Sequence, residues 1–240
     1  MNIRRILFVS LLLATLAACQ TIAPQPVAAT SAAPDLHAEY HALAANNSVV
    51  YTIDPAASRV RIYVFRGGKA AKLGHNHVLD APRFTGYVDL PSDDPTQARF
   101  DLQVPLADLT VDDPAQRAET GGNFSGERAP SDIAGTQANM LGTRGLDASQ
   151  YPLIQFHSAA IAGDWPVLVA DIDVTLHGVT RRQSVMLRVQ HSASDLQVQG
   201  TLVLRQSDFG VTPFSVFGGL LSVQDAVAVE FSLIGRPAPF

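Results

Sequence analysis

Apolar and polar residues alternate with period two along much of the chain beyond residue 48. Val60, Ile62 and Val64 alternate with Arg59, Arg61 and Tyr63. Ile172, Val174 and Leu176 alternate with Asp171, Asp173 and Thr175, and Val185, Leu187 and Val189 with Ser184, Arg188 and Gln190, Met186 being the exception. Leu196, Val198, Leu202 and Leu204 share a face opposite Gln197, Gln199 and Thr201. Val227, Val229, Phe231 and Leu233 alternate with Ala228, Glu230 and Ser232. Successive side chains of a strand point to opposite faces, so each run predicts a half-buried strand. Further strands are expected at Val49–Ile53, Phe84–Leu90, Arg99–Pro105 and Leu153–Ala159. His177-Gly178-Val179-Thr180 lies between two runs and reads as a tight hairpin. One short helix is predicted from Pro130 or Ser131 to Leu141, capped by Ser131, with Ile133, Met140 and Leu141 as its apolar positions.

Strands at hairpin spacing with little helix make an antiparallel meander, an all-β fold. Closing the sheet into a barrel removes its exposed edges, and about eight strands leave room for side chains or one ligand. Alternation alone does not separate a barrel from a sandwich.

The first residues follow another pattern. Arg4 and Arg5 precede an apolar run from Ile6 to Leu16, then Leu16-Ala17-Ala18-Cys19. A basic start, an apolar stretch too short to span a bilayer and small residues before a cut site define a secretory signal over residues 1–18. The cysteine after Ala18 resembles the bacterial lipobox. That resemblance implies a thioether-linked lipid on Cys19, and Gln20 after it points to the outer membrane, with the protein facing the periplasm. Cys19 is the single cysteine of the chain, so no internal disulfide competes for it. Residues 19–48, rich in Ala and Pro, read as a flexible tether, although His37, Tyr40 and His41 would share a face were 35–45 helical. Residues 49–240 then form one domain. The net charge is −5 and no basic run survives cleavage, which argues against a nucleic-acid partner.

Four phrases resemble the YceI-like family. They are Tyr51-Thr52-Ile53-Asp54-Pro55 with Ser58 and Val60; Tyr151-Pro152-Leu153-Ile154-Gln155-Phe156-His157-Ser158; Leu176-His177-Gly178-Val179-Thr180-Arg181; and Ser207-Asp208-Phe209-Gly210-Val211 followed by Val223, Asp225, Val227 and Val229. The resemblance implies a lipocalin-like closed barrel that binds a long apolar ligand, such as a polyisoprenoid or isoprenoid quinone, with no catalytic apparatus and no required cofactor. The expected cavity residues are Val60, Ile62, Val64, Ile154, Phe156, Ile172, Val174, Leu176, Val229 and Phe231. The chain departs from the commoner family pattern at Lys72-Leu73-Gly74-His75-Asn76-His77-Val78 and in a long segment from Asp112 to Gly145 that could cover one barrel mouth.

His75 and His77 are the sharpest local feature. At i and i+2 of a strand, both rings could meet one transition metal, with His177 or His157 as a distant third ligand. Two histidines alone make an incomplete site. The bland alternative is a pair of polar turn residues at a barrel mouth. Enzyme signals are weak: Gly-x-Ser-x-Gly is absent, Gly121-Gly122-Asn123-Phe124-Ser125-Gly126 lacks the Lys of a phosphate loop, and Asp93-Asp94 and Asp112-Asp113 read as solvated turns. Three functions follow: a lipid-tethered carrier of an apolar amphiphile, a metal-binding envelope protein, or a filled, ligand-free structural or stress module.

Overall fold

The computed structural model describes residues 33–240 except 47 and 193. The signal segment, Cys19 and most of the tether lie outside the described residues.

Among the described residues, twelve strands and three α-helices are formed. The strands are β1 (Val49–Ile53), β2 (Arg59–Gly67), β3 (His77–Asp80), β4 (Thr85–Leu90), β5 (Arg99–Pro105), β6 (Thr110–Val111), β7 (Leu153–Asp164), β8 (Val167–Leu176), β9 (Val179–His191), β10 (Leu196–Arg205), β11 (Ser215–Val216) and β12 (Leu221–Pro237). The helices are α1 (Leu36–Ala44), α2 (Pro114–Thr120) and α3 (Pro130–Leu141).

The pairing order β1-β4-β5-β7-β8-β9-β10-β12 returns to β1, so the sheet is a closed antiparallel barrel of eight strands, and not a sandwich. Three of the eight are interrupted. β1 and β2 both run antiparallel to β12, with Thr52 opposite Arg236 and Ile62 opposite Val229, as two halves of one long strand. β4 and β3 pair with those halves in turn, and β5 and β6 with β4 and β3.

The first break follows from the sequence at 54–58. Pro55 has no N–H to give the ladder. Asp54 instead folds the chain back, its carboxylate accepting from the Ala56 and Ala57 N–H groups at 3.0 and 3.3 Å. Ser58 Oγ then accepts from Ile234 N–H at 2.9 Å, so β12 keeps its hydrogen bond across the gap.

The alternation read from the sequence is the inside–outside alternation of the barrel. Ile172, Val174, Leu176, Val185, Leu187 and Val189 are buried, while Met186 is exposed. β7 runs on to Asp164, past the expected end at Ala159, because a bulge between Ser158 and Ala160 resets its register against β8. The β8–β9 hairpin turns at His177 and Gly178, both at positive φ (52° and 72°), which is the mirror-image turn whose twist matches the flanking strands.

The helices depart from expectation. Residues 36–44, expected within the flexible tether, form α1. Asp35 caps it, accepting from Ala38 N–H at 3.2 Å. Tyr40 is fully buried against the outer wall, where its ring stacks on Tyr87 at 5.1 Å and its hydroxyl donates to Asp101 Oδ2 at 2.7 Å. Tertiary contact holds the helix where its sequence carries little periodicity. α2 was not expected. Asp113 caps it through Ala115 and Gln116, and Pro114 opens it. α3 has the expected extent, but it starts from Ala129 with Pro130 in the first turn, and Ser131 is not its cap.

Candidate functional site

The barrel encloses a cavity of about 340 Å³ running along its interior. Its wall is built from the inward faces of the long strands. Of the ten expected cavity residues, nine line it and Val174 does not. Val174 points inward but is 0 % exposed and belongs to the close-packed core. Leu79, Val88, Leu102 and Leu233 also contribute, as do Trp165 and Met140. Trp165 belongs to the β7–β8 hairpin, where its ring stacks on His191 at 5.4 Å and its Nε1–H donates to the Asp93 carbonyl at 2.9 Å. At the opposite end lie Thr136, Asn139, Met140 and Arg144, from α3 and the turn after it. The long segment expected over a barrel mouth therefore contributes to the cavity wall. It brings three of the cavity's polar groups, Thr136, Asn139 and Arg144, which strand alternation gave no means of finding.

His77 lines the cavity, and its ring centroid lies 4.7 Å from that of His75. His75 precedes β3, so strand alternation is not what brings the two together. The third group here is Asp112. His75, His77 and Asp112 each offer a ligand-capable atom within 4.8 Å of the others. His177, the expected third ligand, is not in this cluster. Its Nδ1 lies 3.2 Å from the Phe209 carbonyl oxygen and its ring packs on Tyr151, so it braces the hairpin. His157 pairs with Asp101 instead, at 2.7 Å.

Asp112 had been expected in a solvated turn, yet it is 1 % exposed. Its Oδ1 accepts from Arg117 and from Val78 N–H, and its Oδ2 lies 2.6 Å from His77 Nδ1. Burial pushes this carboxyl up, but the hydrogen bonds from His77, Val78 and Arg117 outweigh that and hold it below the usual carboxylate range. Arg117 is equally buried and also donates to the carbonyls of Asn76 and Gly126 at 3.0 and 2.9 Å. Burial, then the neighbouring His77 and Arg128, push His75 down. A metal ion bound by all three groups would have to share or displace partners that Asp112 already holds, and it would sit near two guanidinium groups.

The model of the YceI-like domain matches residues 51–234. The chain belongs to the YceI-like family. Two solved structures share this YceI-like fold. Burkholderia cenocepacia BcnA is 18% identical with a TM-score of 0.56, over 76% of this chain and 98% of that one. A polyisoprenoid binding domain from Saccharophagus degradans, implicated in plant cell wall breakdown, is 16% identical with a TM-score of 0.51, over 79% and 99%. No curated protein matches the chain.

Proposed function

We propose that this YceI-like barrel binds and carries an apolar amphiphile, such as a polyisoprenoid or isoprenoid quinone, in the bacterial envelope. The cavity carries the reading. A filled barrel needs no void, whereas about 340 Å³ walled mainly by aliphatic and aromatic side chains suits an apolar chain. Each 100 Å² of ligand surface taken from water there contributes about 2.5 kcal/mol without any charged partner. The Saccharophagus degradans neighbour, a polyisoprenoid binding domain, supports the same ligand class. The reading is one of binding, for which an apolar wall suffices. The Leu16-Ala17-Ala18-Cys19 boundary supports a lipid tether that keeps the barrel at a membrane surface, the outer membrane by the Gln20 argument, facing the periplasm. Organic extraction of the purified full-length protein followed by mass spectrometry tests the reading. A polyprenyl species near one per chain is expected. A clean extract, together with failure to take up ubiquinone or a polyprenol, overturns it.

A transition metal at His75 and His77 is the second reading, favoured by the proximity of three ligand-capable atoms. It requires Asp112 to loosen its hold on Arg117 or His77.

A further inference from the structure

Successive turns of an antiparallel meander alternate between the two ends of the barrel. The β7–β8 turn, with Trp165, therefore lies at one end, and the connection from β10 to β12 lies at the other. β12 starts there at Leu221, and the antiparallel pairing of Ser222 with Gly67 puts the β2–β3 loop beside it. β8 spans ten residues, so about 20–25 Å of barrel axis separates the two ends. At the β12 end, Ala70 N–H donates to the Leu220 carbonyl at 2.8 Å and joins the two loops. Val223 N–H donates to the Phe214 carbonyl at 3.0 Å and closes the second loop on itself.

This tip is apolar where water meets it. Leu73 is 82 % exposed and Phe217 75 %, and Phe214 and Leu220 are exposed as well. Among the described residues, these are four of the ten exposed large apolar side chains. Phe217 stands at a φ of 52°, a conformation that a bulky side chain adopts only at a cost. The tip is also basic. Lys69 and Lys72, both exposed, are the only lysines of the chain. Neither 66–76 nor 210–224 contains Asp or Glu, although the chain as a whole carries −5. Phe214 joins the tip to the interior, since it lines the cavity together with Val211 and Thr212 of the same loop. A cluster of exposed apolar side chains marks a surface that meets a partner. Flanking lysines with no acidic neighbour in either loop suit a partner that is apolar and negatively charged together, which describes an anionic bilayer.

We infer that this tip docks the barrel on an anionic lipid surface, with Leu73 and Phe217 entering the interface and the Phe214 end of the cavity turned towards the acyl chains. A tether fixes nearness to a membrane but not orientation; the tip supplies the orientation. Docking follows from the tip alone, whereas its use in passing a ligand between cavity and bilayer rests on the carrier reading.

Trp165 is the only tryptophan of the chain and lies at the far end, so Leu73→Trp adds a single reporter at the tip. The full-length protein is mixed with vesicles of brominated phosphatidylcholine, with or without phosphatidylglycerol. The added emission should be quenched, that of Trp165 should not, and quenching should be stronger with phosphatidylglycerol. Each lysine near an anionic surface is worth about fivefold in docked over free population, so Lys69→Gln with Lys72→Gln should lower that ratio about 25-fold and abolish the lipid preference. Added emission that stays unquenched, Trp165 emission quenched as strongly, or indifference to phosphatidylglycerol overturns the docking. Amine labelling reads the wild type with no variant. Lys69 and Lys72, located by mass spectrometry, should lose reactivity on phosphatidylglycerol vesicles. Unchanged reactivity overturns the proposal even if Leu73→Trp fails to fold. Protection already present without vesicles places a second copy, or another segment of this chain, on the tip and overturns the bilayer as its occupant. None of these outcomes turns on what organic extraction yields, so the carrier reading stands or falls separately.

Discussion

Ile172 and Val174 project into the barrel from the same face of β8, two residues apart. Ile172 borders the cavity, whereas Val174 is fully packed and touches no void. Tryptophan at each position should therefore act differently. At Ile172 the indole can extend into open space. It would exclude ligand surface on the order of 60 Å², which at about 25 cal/mol per Å² is about 1.5 kcal/mol, or roughly tenfold in affinity. At Val174 the added atoms have nowhere to go. Overpacking of that kind costs about 1–3 kcal/mol, and for a domain of this size each kcal/mol lowers the melting temperature by about 2–4 °C. The assay is paired: thermal melting of stripped protein, and displacement of a fluorescent fatty acid, for wild type, Ile172→Trp and Val174→Trp. Ile172→Trp should melt close to wild type and bind about tenfold more weakly, and Val174→Trp should melt several degrees lower. Equal destabilisation at the two sites, with no probe bound by any of the three proteins, would show that the interior is filled and the cavity argument wrong.

Three further outcomes follow from particular contacts. Tyr40→Ala should undock α1 by removing the ring stacked on Tyr87 and the hydrogen bond to Asp101, exposing the segment from Asp35 to Ser48 to limited proteolysis while the barrel's circular dichroism is kept. Arg117→Met should cost about 3–5 kcal/mol in denaturant titration at neutral pH, because it strands a buried carboxylate. The folded state lowers the Asp112 pKa, so the wild-type contribution is complete above the unfolded value of about 3.9 and is lost as pH falls through the folded one; the deficit of Arg117→Met relative to wild type should shrink in that acid range. Cys19→Ser should release the chain from membranes and abolish incorporation of a labelled fatty acid, since a hydroxyl does not replace the thiolate; wild-type protein that is soluble and unlabelled would refute the lipid tether.

The barrel was legible because inward and outward residues along a strand obey a rule with period two, and nine of the ten residues expected at the cavity from the family resemblance lie on its wall. Val174 shows where the rule stops. It sorts faces, but whether an inward side chain meets a void or a neighbour depends on three-dimensional packing. α1 escaped for a related reason: its anchoring partners, Tyr87 and Asp101, lie far along the chain. α2 had a usable local signal in Asp113-Pro114, an N-cap residue followed by proline. Asp112 looked identical to Asp113 in sequence, yet one caps a helix at the surface and the other is buried on an arginine. His75 and His77 were found by their spacing, but the Asp112 carboxylate that meets His77 lies thirty-five residues away and needed the fold to be seen.

The last strand has a consequence for how the protein is made. β12 is 17 residues long, borders β10 on one edge and serves both β1 and β2 on the other. Polypeptides leave a ribosome, and cross a secretion channel, with the amino end ahead. β1 and β2 must therefore wait until β12 has been made for the partner that seals them. Until that partner arrives the ring is an open sheet with two raw edges, the state most exposed to mispairing. Such a chain commits to its closed shape only after β12 has emerged to join the two edges.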